Sequence, residues 1–479
     1  MELIDFPLIG RSFTWYHAGN GSMSRLDRIL LSREWVSCRP NMSQWALSKD
    51  FSDHCTILLR VKSLVKGPIP FKFNNCWLQH CDLRELILNC WNSPMDAGKK
   101  AFLVKEKLNR LNEALKDWNN VSFGCLDTKL ADLVSDIQAI DLVGDSSNLD
   151  VTLLSHRKEL LVDWWKTSTW KDNLLRQKSR NLWLKEGDAN SSFFHACINN
   201  RRRRNNVLGL SVDGVWVEGD NLIRSSVSNY FKDSFTQLPS VFPTLDGAII
   251  NCLSQSQSII LDAKFSEVEI KAAASSCVGD KCPGPDGFNF RFFHAFWDII
   301  KHDIFLFIQE FYGFGKLPKG LNSSFIALIP KCKSPNMIKD FIPISLVRSL
   351  YKILAKVLAS RLKLVMGSIN SSSQSTFNKD RNILNATVVI NETIHSAKMG
   401  KDWCFILKFY FEKAYDSVSW SFLDYMLCRF GFSTRWRKWI SGCLSSVSMF
   451  VLINGTPSEF FRFQKISDRL ILWLLSFSS

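Results

Sequence analysis

The stretch Cys404–Val418, CFILKFYFEKAYDSV, decides how this sequence is read. Phe405, Ile406 and Leu407 predict a buried strand. Lys413, Ala414, Tyr415 and Asp416 turn the chain out of that strand, and Ser417 to Trp420 open a helix. The apolar strand-like run therefore ends in a charged and aromatic cluster.

Upstream, Phe265–Ile270 opens a helix, and Gly279–Phe288, GDKCPGPDGF, closes it with a Gly/Pro-rich turn. Phe325–Lys331, Asp340–Leu346, Tyr351–Ile353, Lys356–Leu362 and Gln374–Arg381 follow in order. Downstream come Gly431-Phe432, Trp436–Ile440 and Val451–Pro457, the last a strand pair around Asn454-Gly455. In this order the blocks resemble the fingers and palm of reverse transcriptases from plant LINE-type, non-LTR retrotransposons. The family's first catalytic motif lays onto Lys408–Asp416, with Tyr410 where the family has its metal-binding aspartate.

That resemblance implies the site. Lys331 matches a cation that binds the incoming triphosphate, and Tyr415 matches the aromatic that closes against the sugar 2′-hydroxyl. Ile342 stands where the family has an arginine, and an aliphatic side chain offers no charge and no forked donors to a phosphate. The family polymerises with two Mg²⁺ ions held by carboxylates. The phenol of Tyr410 is neutral at pH 7 and a poor ligand for a hard ion. Asp416, six residues on, lies about 9 Å away along a helix or about 20 Å along a strand, too far for a metal bond of about 2.1 Å. No intact metal site and no productively bound Mg²⁺ are expected.

Residues 1–62 carry three short strand-like blocks, Gly10–Trp15, Ser24–Leu30 and Ser52–Cys55. Asp53 beside His54 reads as a capped turn, and with Asp27 as a His-carboxylate dyad. Together the blocks resemble the carboxyl-terminal end of an endonuclease/exonuclease/phosphatase domain. The resemblance implies that His54 contacts the scissile phosphate, Asp27 orients its imidazole and Asp53 helps position metal or water. Because the family's earlier metal ligands would precede Met1, no nuclease activity is expected.

Residues 63–240 read as a helical basic connector. Val104, Leu108, Leu111, Leu115 and Trp118 form one apolar helical stripe, a packing face. Trp183–Asp188, Ser192–His195 and the run Arg201, Arg202, Arg203 and Arg204 resemble the segment joining nuclease to polymerase in the same family. Four arginines with aromatics upstream suit phosphate contact and base stacking, and a solvated charge run or a nuclear-localisation patch are the alternatives.

The whole chain has 479 residues, 60 Lys and Arg against 45 Asp and Glu, and a net charge of +15. Such an excess suits a polyanion, RNA and DNA in the family, or serves solubility. The 14 cysteines show no paired spacing, and Cys76, His80 and Cys81 read as core rather than metal site. No signal pattern and no membrane-length apolar run is present, which fits a reducing nucleus or cytoplasm. The oligomeric state is not legible. The expected fold is α/β: a remnant of a two-sheet nuclease domain (1–62), the connector (63–240), and an incomplete right-hand polymerase, fingers and partial palm (241–464). After Gln464 the family resemblance stops, and 465–479 read as an aberrant tail of shifted frame.

Overall fold

The computed structural model describes residues 3–17, 19–39, 41–47, 49, 51–61, 67–95, 98–146, 148–180, 191–236, 244–247, 249–370, 382–407, 409 and 418–462. The amino-terminal part is built of small sheets. Strand β1 (Ile4–Asp5) pairs with β5 (Leu30–Leu31), β2 (Leu8–Ile9) with β6 (Met42–Ala46) and β6 with β7 (Ile57–Val61), while β3 (Trp15–Tyr16) and β4 (Met23–Ser24) form a hairpin. One short helix, α1 (Arg33–Cys38), starts at Ser32, whose hydroxyl accepts from Trp35 N. The block Ser52–Cys55 was expected as a strand, but it joins by a single bridge, Trp15 to His54. What holds it is Thr14, fully buried: its Oγ1 accepts from Leu26 N and Asp27 N, and its carbonyl accepts from Cys55 N.

The next part is helical, as its periodicity predicts: α2 (Leu83–Asn92), α3 (Lys100–Trp118), α4 (Leu126–Ser146), α5 (Val151–Ser179) and α6 (Ser191–Asn205). Val104, Leu108, Leu111 and Leu115 are buried, and Trp118 packs on the core they belong to. A hairpin not expected from the sequence follows, β8 (Gly209–Val212) and β9 (Val215–Glu218), then α7 (Asp220–Thr236). Its turn is Asp213-Gly214, both at positive φ, the backbone that a two-residue hairpin loop requires.

The remaining elements are α8 (Gln255–Asp262), α9 (Glu267–Ser275), α10 (Phe290–Ala295), α11 (Trp297–Phe314), β10 (Ser323–Pro330), β11 (Phe341–Val347), α12 (Ser349–Ile369), α13 (Ile383–Gly400), α14 (Trp420–Arg429), α15 (Thr434–Ser445), β12 (Ser448–Ile453), β13 (Thr456–Pro457) and β14 (Phe461–Arg462). Ser266 and Ser419 cap α9 and α14 at the starts the sequence predicts. Strand β10 lies between antiparallel β11 and parallel β12, and β12 turns into β13 through Asn454-Gly455 at φ 52° and 86°. One core joins α2 and α3 to α11 and α12, and takes in Leu210 and Val227 beside Val451 and Ile453. At its rim Asp303 of α11 accepts from Trp91 Nε1 and from Lys107 Nζ, both at 2.7 Å.

Phe405, Ile406 and Leu407 do not form the buried strand expected of them. They are exposed and without regular structure. A strand needs a ladder to join. Among the described residues both flanks of β10 are filled by β11 and β12, and both flanks of β12 by β10 and by β13 with β14.

Candidate functional site

The three amino-terminal blocks come together around one ion pair. His54 Nδ1 lies 2.8 Å from Asp27 Oδ2. This hydrogen bond raises the proton affinity of His54 and holds the Asp27 carboxyl below its usual range, with a further lowering from Thr14. Asp53 turns elsewhere: its Oδ2 accepts from Trp15 Nε1 at 2.9 Å, which lowers its pKa. Of the expected trio, then, Asp27 and His54 are assembled, and Asp53 is spent on an indole. Such a pair can hold a cationic imidazole against a phosphate or pass a proton.

The pair makes a pH prediction. A raised His54 contributes stability that is complete below the unfolded value near 6.5 and is lost as pH rises through the folded one. On the acid side, the Asp27 contribution is lost as pH falls through its depressed value. Asp27→Asn is expected to bring the His54 titration midpoint down toward about 6.5. A proton NMR titration of the His54 ring that is unmoved by the substitution would refute the coupling.

The β10–β11 hairpin carries the second group. Lys331 follows β10, its amide bonds Asp340 O at 2.8 Å, and its ammonium bonds Lys339 O at 2.8 Å. Ile329 faces Ile342 across the ladder, so position 342 stands diagonally beside Lys331 on the same face of the hairpin. That neighbour is a sec-butyl side chain, 40% exposed. The hairpin thus presents one cation, Lys331, beside an aliphatic side chain. Tyr410 and Tyr415 lie outside the described residues, as do Trp183–Asp188, Gln374–Arg381 and 465–479.

The four arginines do not make one patch. Successive helical residues point about 100° apart, and α6 fans them. Arg201 donates to Ser179 O at 2.7 Å, and Arg203 lies over the Phe6 ring at 4.8 Å. Arg202 and Arg204 are exposed.

Two groups were missed by sequence reasoning. Asp286, in the turn Gly279–Phe288, is buried, and its Oδ2 accepts from Ser349 N at 2.6 Å, capping α12 from outside. Burial raises its pKa, against the pull of the Arg348 guanidinium. Gly284 must be glycine there, since a Cβ would lie 2.3 Å from Val347 O. A cap supplied from 63 residues away leaves no local signal. The other missed group is Arg361, considered below.

For metals, the carboxylates read from the sequence do not converge. Among the described residues, the trio with ligand atoms within 4.8 Å of one another is His80, Cys81 and Asp82. Its His80 Nδ1 already accepts from Asp82 N, and Cys76 nearby is a core thiol whose pKa burial pushes up to about 12. No described helix is long and apolar enough to cross a membrane.

Residues 329–467 match the profile of the family described as reverse transcriptase (RNA-dependent DNA polymerase). The match begins at the end of β10 and takes in Lys331, Ile342, Tyr410 and Tyr415. The chain is also 26% identical, over 467 residues, to the Transposon TX1 uncharacterized 149 kDa protein of Xenopus laevis. That alignment covers 92% of this chain and 34% of the relative, so the chain spans about a third of the relative's length.

Proposed function

We propose that this chain is a LINE-type, non-LTR retrotransposon reverse transcriptase protein that has lost polymerisation and kept nucleic-acid binding. The carrying observation is the fingers hairpin: Lys331 projects beside an exposed Ile342 where the resemblance calls for arginine. A polyphosphate in transfer needs fixed cations on its oxygens, and one ammonium already resting on a backbone carbonyl is a weak substitute for an ammonium and a guanidinium together. The reverse-transcriptase match over 329–467 supplies the setting.

Mg²⁺ does not fit the donors present. Position 410 offers a phenol, Asp27 is held by His54, and Asp53 by Trp15. The amino-terminal pair is read as the remnant of a nuclease site, able to hold a phosphate through the His54 imidazolium.

The test is primer extension by purified protein on an RNA template with Mg²⁺ or Mn²⁺. No product is expected, while the same template-primer still binds. Extension that disappears on Lys331→Ala would overturn the reading.

A further inference from the structure

A cavity lies where the amino-terminal part, α6 and the fingers hairpin meet. Phe6, Asn41, Ser43, Arg203, Arg204 and Asn206 line it, with Pro335 and Phe341 closing the hairpin side. The amino-terminal part is fixed there by Leu8 N on Ser334 Oγ at 3.2 Å, and the hairpin β8–β9 by Ser211 N on Asn336 O at 2.7 Å.

Among the described residues no counter-charge answers the arginines of this cavity. Arg203 Nε and Nη1 are buried and have no hydrogen-bond partner among the described residues. Burial alone lowers the Arg203 pKa, with no carboxylate opposing it. Among the described residues no Asp or Glu lines the cavity, and Asp5, next to Phe6 in the chain, is already taken by Arg25 and Arg28. The Phe6 ring 4.8 Å below the guanidinium offsets only part of the desolvation. A half-buried cation without a counter-ion is costly, and an anion entering beside its guanidinium offsets part of that cost.

Size narrows the anion. The cavity volume is about 50 Å³, room for roughly four waters, which suits one phosphate group and excludes a base. A strand can then enter by its end rather than along its length. We infer that this cavity binds the terminal phosphate monoester of a single-stranded nucleic acid, held by Arg203 and Arg204 with Asn41 and Asn206 as neutral partners. The inference rests on the nucleic-acid-binding half of the function proposed above.

The experiment compares single-stranded RNAs of one sequence ending in a 5′-phosphate, a 3′-phosphate or hydroxyls only, on the full chain at fixed salt. One phosphorylated form is expected to bind about tenfold tighter than the hydroxyl form, the worth of one charge-assisted hydrogen bond. Arg203→Gln should abolish the preference. So should Asn41→Asp, which keeps the volume, leaves Arg203 in place and supplies a rival carboxylate, so that the test survives if Arg203→Gln fails to fold. Arg202→Gln, outside the lining, should retain it. Equal binding of all three RNAs, or a preference that survives Arg203→Gln and Asn41→Asp, overturns the inference and leaves the function standing. No binding of any RNA removes both. Inorganic phosphate that raises the melting temperature through Arg203 while the RNA ends bind equally would assign the cavity to free phosphate, also against the inference.

Discussion

Arg361→Ala is expected to destabilise the protein by about 3–5 kcal/mol, the range for breaking a buried ion pair from one side. Arg361, on α12, is 6% exposed. Its Nε and Nη2 bond both oxygens of Glu269 at 2.7 and 2.9 Å, and its Nη1 and Nη2 reach the carbonyls of Leu261, Ala263 and Lys264. The guanidinium also lies 4.2 Å over the Phe265 ring. One side chain thus ties α12 to the whole turn between α8 and α9. Alanine would strand a half-buried carboxylate and three carbonyl oxygens together. Lysine cannot reproduce the fork and should recover little. Arg361→Met with Glu269→Leu should recover most of the loss, because no charge is then left alone. Urea denaturation followed by tryptophan fluorescence gives the comparison, and a shift below about 0.5 kcal/mol for Arg361→Ala, the size of an ordinary surface substitution, would refute the assignment.

Gly442→Ala and Gly367→Ala are expected to move stability in opposite directions. A Cβ on Gly442 of α15 would lie 1.9 Å from Gly315 O, at the left-handed end of α11. Backbone meets backbone there, so neither side can step aside, and the loss should reach about 3 kcal/mol, the upper end for overpacking. Gly367 of α12 is exposed, and a Cβ there meets nothing within 4 Å. Alanine should stabilise that helix by about 0.5–1 kcal/mol. Equal effects in thermal melts of the two variants would show that α15 is not seated on Gly315.

Periodic and capping signals were the legible part of this fold. The stripe on α3, the helix openings at Phe265–Ile270 and Ser417–Trp420 and the Asn454-Gly455 turn each depend on residues a few positions apart, and each formed where the sequence placed it. The hairpin β8–β9 was legible too, since Asp213-Gly214 between Leu210-Ser211-Val212 and Val215-Trp216-Val217 is a strong turn signal, and it was overlooked. Of the site, the pairing of Asp27 with His54 was read from block order. The rest depended on distant partners. Asp286 caps a helix it does not belong to, Arg361 collects carbonyls about 100 residues away, and the fate of Phe405–Leu407 turns on which strands occupy the sheet. The arginine run is contiguous in sequence, and the helix turns its members to different partners, Arg201 to Ser179 O and Arg203 to the Phe6 ring.

The hairpin that carries Lys331 also has an outer rim. Strand β11 ends the described sheet, and Ile342 and Ile344 are both exposed along it. Bare apolar edge strands invite pairing with other copies of the same chain. Lys331 N bonds Asp340 O, so 342 and 344 sit at the inward-bonding positions, and the residue between them turns its backbone outward. That residue is Pro343, which has no N–H to give. An incoming strand loses a hydrogen bond at the middle of the rim, where a continuous ladder would start. Along the described rim Pro343 thus withholds the donor that an added strand would need, the role of a gatekeeper against fibril-like growth.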